Sequence, residues 1–230
     1  MDRVKQFDLA TLSVREVNQF LHHELPGSGI ERVEILNPDG SHSIGAGLDC
    51  NVEVDIQGHA GYFIAGMNKQ AHVTVHGTVG WGVAENIMSG TVRVKGHASE
   101  SAGASGHGGL VIIEGDASSR CGISMKGCDI VVGGSVGHFS AFMAQAGSLV
   151  VCGDAGANLG DSLYEATLYV GGKIHSLGAD AQEEEMSPAD IVHVSRLLTQ
   201  SGIEADARAF KRVASARSLY HWNVDAHQEY

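Results

Sequence analysis

Hydrophobic and polar positions along this chain repeat with a period of 19 residues rather than with the period of an isolated helix or hairpin. The segments NVEVDIQGHAG, AHVTVHGTVG, GTVRVKGHAS, GLVIIEGDAS, CDIVVGGSVG, GSLVVCGDAG and ATLYVGGKIH align on one glycine, which falls at Gly58, Gly77, Gly96, Gly115, Gly134, Gly153 and Gly172. Seven copies spaced 19 residues apart, without insertion or deletion, define a repeat architecture. Four residues before the glycine stand Val54, Val73, Val92, Val111, Ile130, Leu149 and Leu168; two before it stand Ile56, Val75, Val94, Ile113, Val132, Val151 and Val170. A spacing of two places both aliphatic columns on one face of a strand. The column between them, Asp55, Thr74, Arg93, Ile112, Val131, Val150 and Tyr169, varies freely and faces outward, toward water at first and toward a partner from Ile112 onward.

Seven residues after the glycine, only small residues occur: Ala65, Ala84, Gly103, Gly122, Ala141, Gly160 and Ala179. They must point into a narrow interior or lie close to neighbouring backbone. A unit of this size cannot bury its apolar face alone, whereas stacked coils can, each strand pairing in parallel with its equivalent about 4.8 Å away. The expected fold is therefore all-β: a right-handed parallel β-helix of about seven 19-residue coils, with a short N-terminal α/β cap and a C-terminal helical extension. The segments divide as 1–40 cap, 41–181 glycine-rich β-helix and 182–230 C-terminal helices with a docking tail.

At the N-terminal end, Ser13 and Glu16 form a capping box for a helix reaching about His23, and Val33–Leu36 reads as a strand. At the other end, Ser187-Pro188-Ala189-Asp190 starts a helix that runs to about Gln200 before Gly202. A second helix is expected from about Asp206 to Ser215. The tail carrying Tyr220 and Trp222 is expected to fold back on the rod or dock on a neighbouring chain.

Composition narrows the function. Fifteen basic against 27 acidic residues give a net charge of -12, which disfavours nucleic acid and anionic membranes as partners. No stretch approaches the roughly 20 apolar residues of a spanning helix, and the N-terminus lacks a secretory apolar run, so a cytoplasmic location is expected. Cys50, Cys121, Cys128 and Cys152 include no CxxC pair and read as core thiols. Most of the 13 histidines fall singly. His59 and His97 share a phase, as do Asp116 and Asp154, but two coils separate each pair by about 9.6 Å, too far to share a metal or form an acid–base pair.

Bulky groups occur in coil segments that other repeats fill with small residues. Trp81, Glu85, Asn86 and Met88 lie in one, Met125 and Lys126 in a second, and His138, Phe139 and Phe142 in a third. Together with Tyr220 and Trp222 they are the expected partner-contact residues, and no catalytic, cofactor or metal residue is assigned to this chain.

The motifs GAGLD (45–49), AGMN (65–68), GVAEN with MSG (82–90), SRCGISMKG (119–127), GHFSAFMAQAG (137–147) and GDSLYEA (160–166) resemble those of the GXGXG domain family, whose type member is the C-terminal domain of the large (α) chain of glutamate synthase. Among free-standing members the chain most resembles the β-helix component of N-methylglutamate synthase, also called methylamine–glutamate N-methyltransferase. It is similar also to the glutamate-synthase-like protein GlxC.

The resemblance implies a scaffold that makes no bonds itself. It would link an amidotransferase-like, class II glutaminase-type subunit to a synthase-like subunit that holds FMN and an iron–sulfur cluster, in a complex forming N-methylglutamate from methylamine and glutamate with release of ammonia. A more distant resemblance, to the β-helix chains of formylmethanofuran dehydrogenase and formyltransferase/hydrolase complexes, gives the alternative. An independent enzyme with a β-helix cleft is the third reading.

Overall fold

The computed structural model describes residues 3–218. Eleven strands form one sheet in the order β1-β2-β3-β4-β5-β6-β7-β8-β9-β11-β10. They are β1 (Val4–Asp8), β2 (Arg32–Leu36), β3 (Glu53–Gln57), β4 (His72–Val75), β5 (Thr91–Val94), β6 (Leu110–Ile113), β7 (Lys126–Val132), β8 (Ala146–Val151), β9 (Thr167–Val170), β10 (Ala181–Glu184) and β11 (Lys211–Ser215). From β1 to β9 every neighbour is parallel, and from β3 onward partners such as Val54, Val73 and Val92 are offset by the 19-residue repeat. This is the parallel β-solenoid the repeat predicts.

Both aliphatic columns are buried along the whole rod, with exposures of 1% or less. A second ladder of single bridges joins Ala60, Val79, Ala98, Ala117, Val136, Ala155 and Ile174, closing the opposite wall of the core. The repeat glycines stack backbone on backbone: Gly96 N–H donates to Gly77 O at 3.0 Å, and the same bond recurs coil by coil to Gly172. A Cβ on Gly77 would lie 2.6 Å from Gly58 O, so here close approach excludes a side chain.

The N-terminal segment does more than cap. β1 and β2 are already rungs of the sheet, and α1 (Val14–Gln19), continued by a π-helical turn over Phe20–Glu24, connects them. The capping box forms, with Ser13 N–H donating to Glu16 and Glu16 N–H to Ser13 Oγ. Val17, Leu21 and Leu25 from this helical segment join the main core and plug its end.

Two expectations about the other end are corrected. Lys211–Ser215 is a strand, not a helix, preceded only by a 3-10 turn at Ala207–Ala209. Antiparallel pairing of β11 with β9 satisfies the last rung's open edge, and β10 pairs with β11 in turn. Val213 is buried in the main core, while Phe210 packs on the outside of the sheet.

The outward column from Ile112 onward is not left for another chain. α2 (Pro188–Ser201), with Ser187 as its cap and Gly202 in the left-handed conformation at its end, lies across it. Val194, Leu197, Leu198, Ala207 and Phe210 form a second core with Val131, Val150 and Tyr169. Tyr169 Oη donates to Asp190 at 2.7 Å, and Arg212 pairs with Asp190 and Glu184, so the cover is fastened by polar groups at its edge.

Candidate partner-contact face

Opposite the sheet, each coil turns through a five-residue segment whose first, third and fifth residues all have positive φ. Ser43/Gly45/Gly47, Phe63/Ala65/Met67, Gly82/Ala84/Asn86, Ser101/Gly103/Ser105, Arg120/Gly122/Ser124, Phe139/Ala141/Met143 and Asn158/Gly160/Ser162 repeat the pattern. The middle position is the column of small residues: it points into the core with φ of +50 to +69°, where a larger side chain would combine backbone strain with overpacking. Gly103 shows the limit, since a Cβ there would sit 2.5 Å from Ile130 Cδ1. Bonds such as Ala84 N–H to Ile64 O (2.9 Å) and Asn86 N–H to Ala104 O (2.8 Å) tie the segments into a ladder. Side chains on this face therefore project from a fixed frame.

The first coils carry its bulk. Tyr62 stacks on His42 at 4.4 Å between ring centroids and on Trp81 at 5.5 Å. Tyr62, Phe63, Met67, Trp81 and Met88 are 42–57% exposed, and they are five of the seven large apolar side chains exposed among the described residues. Beside Trp81 lies an open groove of about 290 Å³, lined by Phe63, Trp81, Ala104 and Ile123 together with Glu85. Farther along, Phe139 meets His138 and Phe142 edge to face, at 6.0 and 6.1 Å.

Of the residues expected here, Trp81 and Glu85 line the groove, Asn86 is half-buried and bonded through its N–H to Ala104 of the lining, and Met88 is exposed outside the lining. Lys126 and His138 are exposed, and Phe139 and Phe142 half-buried. Met125 is corrected: it is fully buried, because its position in the coil is the interior column that also holds Leu48, Ile87, Ala144 and Leu163. Tyr220 and Trp222 lie outside the described residues. Sequence reading misses Tyr62, Phe63 and Met67, although Tyr62 shares its phase with Trp81 and Phe63 shares its phase with Phe139.

The titratable groups that suggest chemistry have structural employment. His59, Thr78, His97, Asp116, Ser135 and Asp154 all follow a repeat glycine by one residue, and each side chain accepts the backbone N–H one coil later, at 2.7–3.4 Å. His76 and Arg32 both bond Asp55 on the sheet face, at 2.7 and 2.8 Å. Burial pushes the Cys121 and Cys128 thiols up to about 12, leaving neither as a thiolate nucleophile near neutral pH. Among the described residues no group of three or more His, Cys, Asp or Glu is placed to hold a metal. No described helix is long and apolar enough to cross a membrane.

No family model matches the chain. Protein GlxC from Rhizobium meliloti (strain 1021) is 54% identical over 220 residues, covering 95% of this chain and 96% of that protein. A chain in the X-ray crystal structure of the formyltransferase/hydrolase complex (FhcABCD) from Methylorubrum extorquens, in complex with methylofuran, superposes with a TM-score of 0.67. The match covers 88% of this chain and 86% of that one at 20% identity, and it shows a shared fold.

Proposed function

We propose that this chain, which belongs to the family of protein GlxC, is a non-catalytic scaffold and docking subunit of a glutamate-synthase-like enzyme assembly. The observation that carries the reading is the loop face, where five of the seven exposed large apolar side chains of the described residues crowd onto a rigid frame while α2 covers the other apolar surface. Contiguous exposed apolar groups on a fixed frame mark an interaction surface. His59, His97, Asp116 and Asp154 are meanwhile engaged in the coil-to-coil ladder and Cys121 and Cys128 are buried, which favours a surface over a reaction centre built on those groups.

By this reading an amidotransferase-like subunit and a synthase-like subunit holding FMN and an iron–sulfur cluster assemble on the rod in the cytoplasm, and the flavin chemistry belongs to the latter. Synthesis of N-methylglutamate is supported by coil motifs alone, and identity of 54% to GlxC favours that branch of the family instead. A formyltransferase/hydrolase-type assembly is the second reading, favoured by the TM-score of 0.67 to a chain of such a complex.

The test is the native mass of the chain purified from its source at native expression, with flavin absorbance and the identity of each associated chain read from the same sample. Amidotransferase-like and flavin-holding chains in one particle support the reading, and formyltransferase chains support the second. An isolated chain with turnover of its own overturns both. Trp81→Ala should weaken assembly while leaving the thermal midpoint unchanged; unchanged assembly removes this face from the interface.

A further inference from the structure

The groove beside Trp81 contains an electrostatic mismatch that limits what can cover it. Phe63 and Trp81 supply the aromatic part of its lining, and Glu85 is the one charged residue there. Among the described residues the Glu85 carboxylate makes no hydrogen bond or ion pair, and neither do the hydroxyls of Ser101, Ser105 and Ser124 along the same groove. Asp49 accepts from Lys69 at 3.0 Å and Gln70 at 3.1 Å, and Glu114 accepts from Arg93 and Lys95 at 2.7 Å each, whereas Glu100, one coil after Trp81 and outside the groove lining, shares with Glu85 the lack of a partner among the described residues.

A wholly apolar partner seated on Tyr62, Phe63, Met67 and Trp81 would strip water from Glu85 without replacing it. Burying an unpaired carboxylate is strongly unfavourable, so the occupant must bring a positive charge. The aromatic lining adds a second constraint. Aromatic faces attract cations, and a planar guanidinium can stack on a ring while its N–H groups reach a carboxylate and neighbouring hydroxyls. A compact ammonium can satisfy the carboxylate but not both surfaces at once.

We propose that this groove is a receptor for an arginine side chain, presented by an apolar segment of the partner that docks on the loop face. Phe63 and Trp81 hold the guanidinium plane, Glu85 neutralises it, and Ser101, Ser105 and Ser124 accept from its remaining N–H groups. The proposal deepens the scaffold reading and relies on it for the source of the arginine. The groove's preference for a guanidinium can be measured without that partner.

The experiment uses the full chain carrying Trp222→Phe, which leaves Trp81 as the only tryptophan of the two in the sequence. N-acetyl-arginine amide and its neutral counterpart N-acetyl-citrulline amide are titrated while the Trp81 indole N–H resonance is followed. The arginine compound should bind about tenfold more tightly than citrulline, and Glu85→Gln should erase the difference with the thermal midpoint unchanged. Equal binding of the two compounds, or discrimination that survives Glu85→Gln, overturns the proposal.

In the assembled complex, Glu85→Lys should weaken partner binding by about a hundredfold or more, because it sets like charges together. A partner that binds Glu85→Lys as tightly as the unaltered chain overturns the arginine receptor even if the scaffold reading stands. Guanidinium selectivity in a chain that never assembles supports the groove's chemistry and sinks the scaffold reading alone.

Discussion

Whether α2 belongs to the fold or occupies a surface meant for another chain can be decided by a pair of substitutions on that helix. Leu197 is 1% exposed and packs against Val131, Val150 and Tyr169, whereas Val192 on the same helix is 70% exposed. Leu197→Ala removes buried methyl groups and leaves a cavity between helix and sheet, a loss of about 2–4 kcal/mol. Val192→Ala removes nothing packed and should fall within about 0.5 kcal/mol of the unaltered chain. The loss need not be shared by the whole rod. Coils in a solenoid interact chiefly with their neighbours, so the Leu197 cavity should release α2 before it opens β3–β5. Hydrogen exchange reads this directly: α2 amides in Leu197→Ala should exchange about a hundredfold faster while those of β3–β5 keep their protection. Exposed Val131 and Val150 should also bind a hydrophobic dye. If Leu197→Ala exchanges no faster than Val192→Ala, the helix contributes no docking energy, and the outward column must be reassigned as a site for a partner.

Other parts of the frame make separate predictions. Gly103→Ala should destabilise by about 1–3 kcal/mol by calorimetry, since its φ of +67° and the 2.5 Å approach to Ile130 Cδ1 add strain to overpacking; Ile130→Val in the same chain should recover part of it. Asp116→Ala removes the acceptor of Ser135 N–H, but water reaches this edge, so a loss of only about 0.5–1 kcal/mol in urea unfolding is expected. On the sheet face, burial pushes the Asp55 carboxyl up, yet hydrogen bonds from His76 and Arg32 outweigh it and hold the group below its ordinary range. Its stabilisation is therefore complete above the unfolded value and lost as pH falls below about 4 through the folded one. Asp55→Asn should flatten the acid limb of the stability–pH curve, and an unchanged limb would refute that assignment.

What the sequence reveals and what it withholds follow from the range of the interactions involved. The coil is specified locally: Gly77 must be glycine because Gly58 backbone lies under it, and Val73 and Val75 must be apolar because they share a strand face. Such constraints recur every 19 residues and average out accidents at any one coil. The C-terminal cover is specified once. Lys211–Ser215 is short and ambiguous by pattern, and it becomes a strand because β9 otherwise ends the parallel stack with open backbone groups. Val131 and Val150 announce that something covers them, but not whether the cover is α2, some 40–60 residues later, or another polypeptide. The contact face shows the same division in miniature. Met125 is misread when its chemistry is weighed before its phase, because the column containing Ile87 and Leu163 already points it inward. Tyr62 is missed for the converse reason, although the phase it shares with Trp81 points it outward. In a solenoid, then, phase fixes the direction of a side chain and chemistry fixes what it can meet. Glu85 is informative because the two conflict there: its phase turns it outward, among aromatic rings that favour burial, and its unmatched charge selects the kind of group that can bury them.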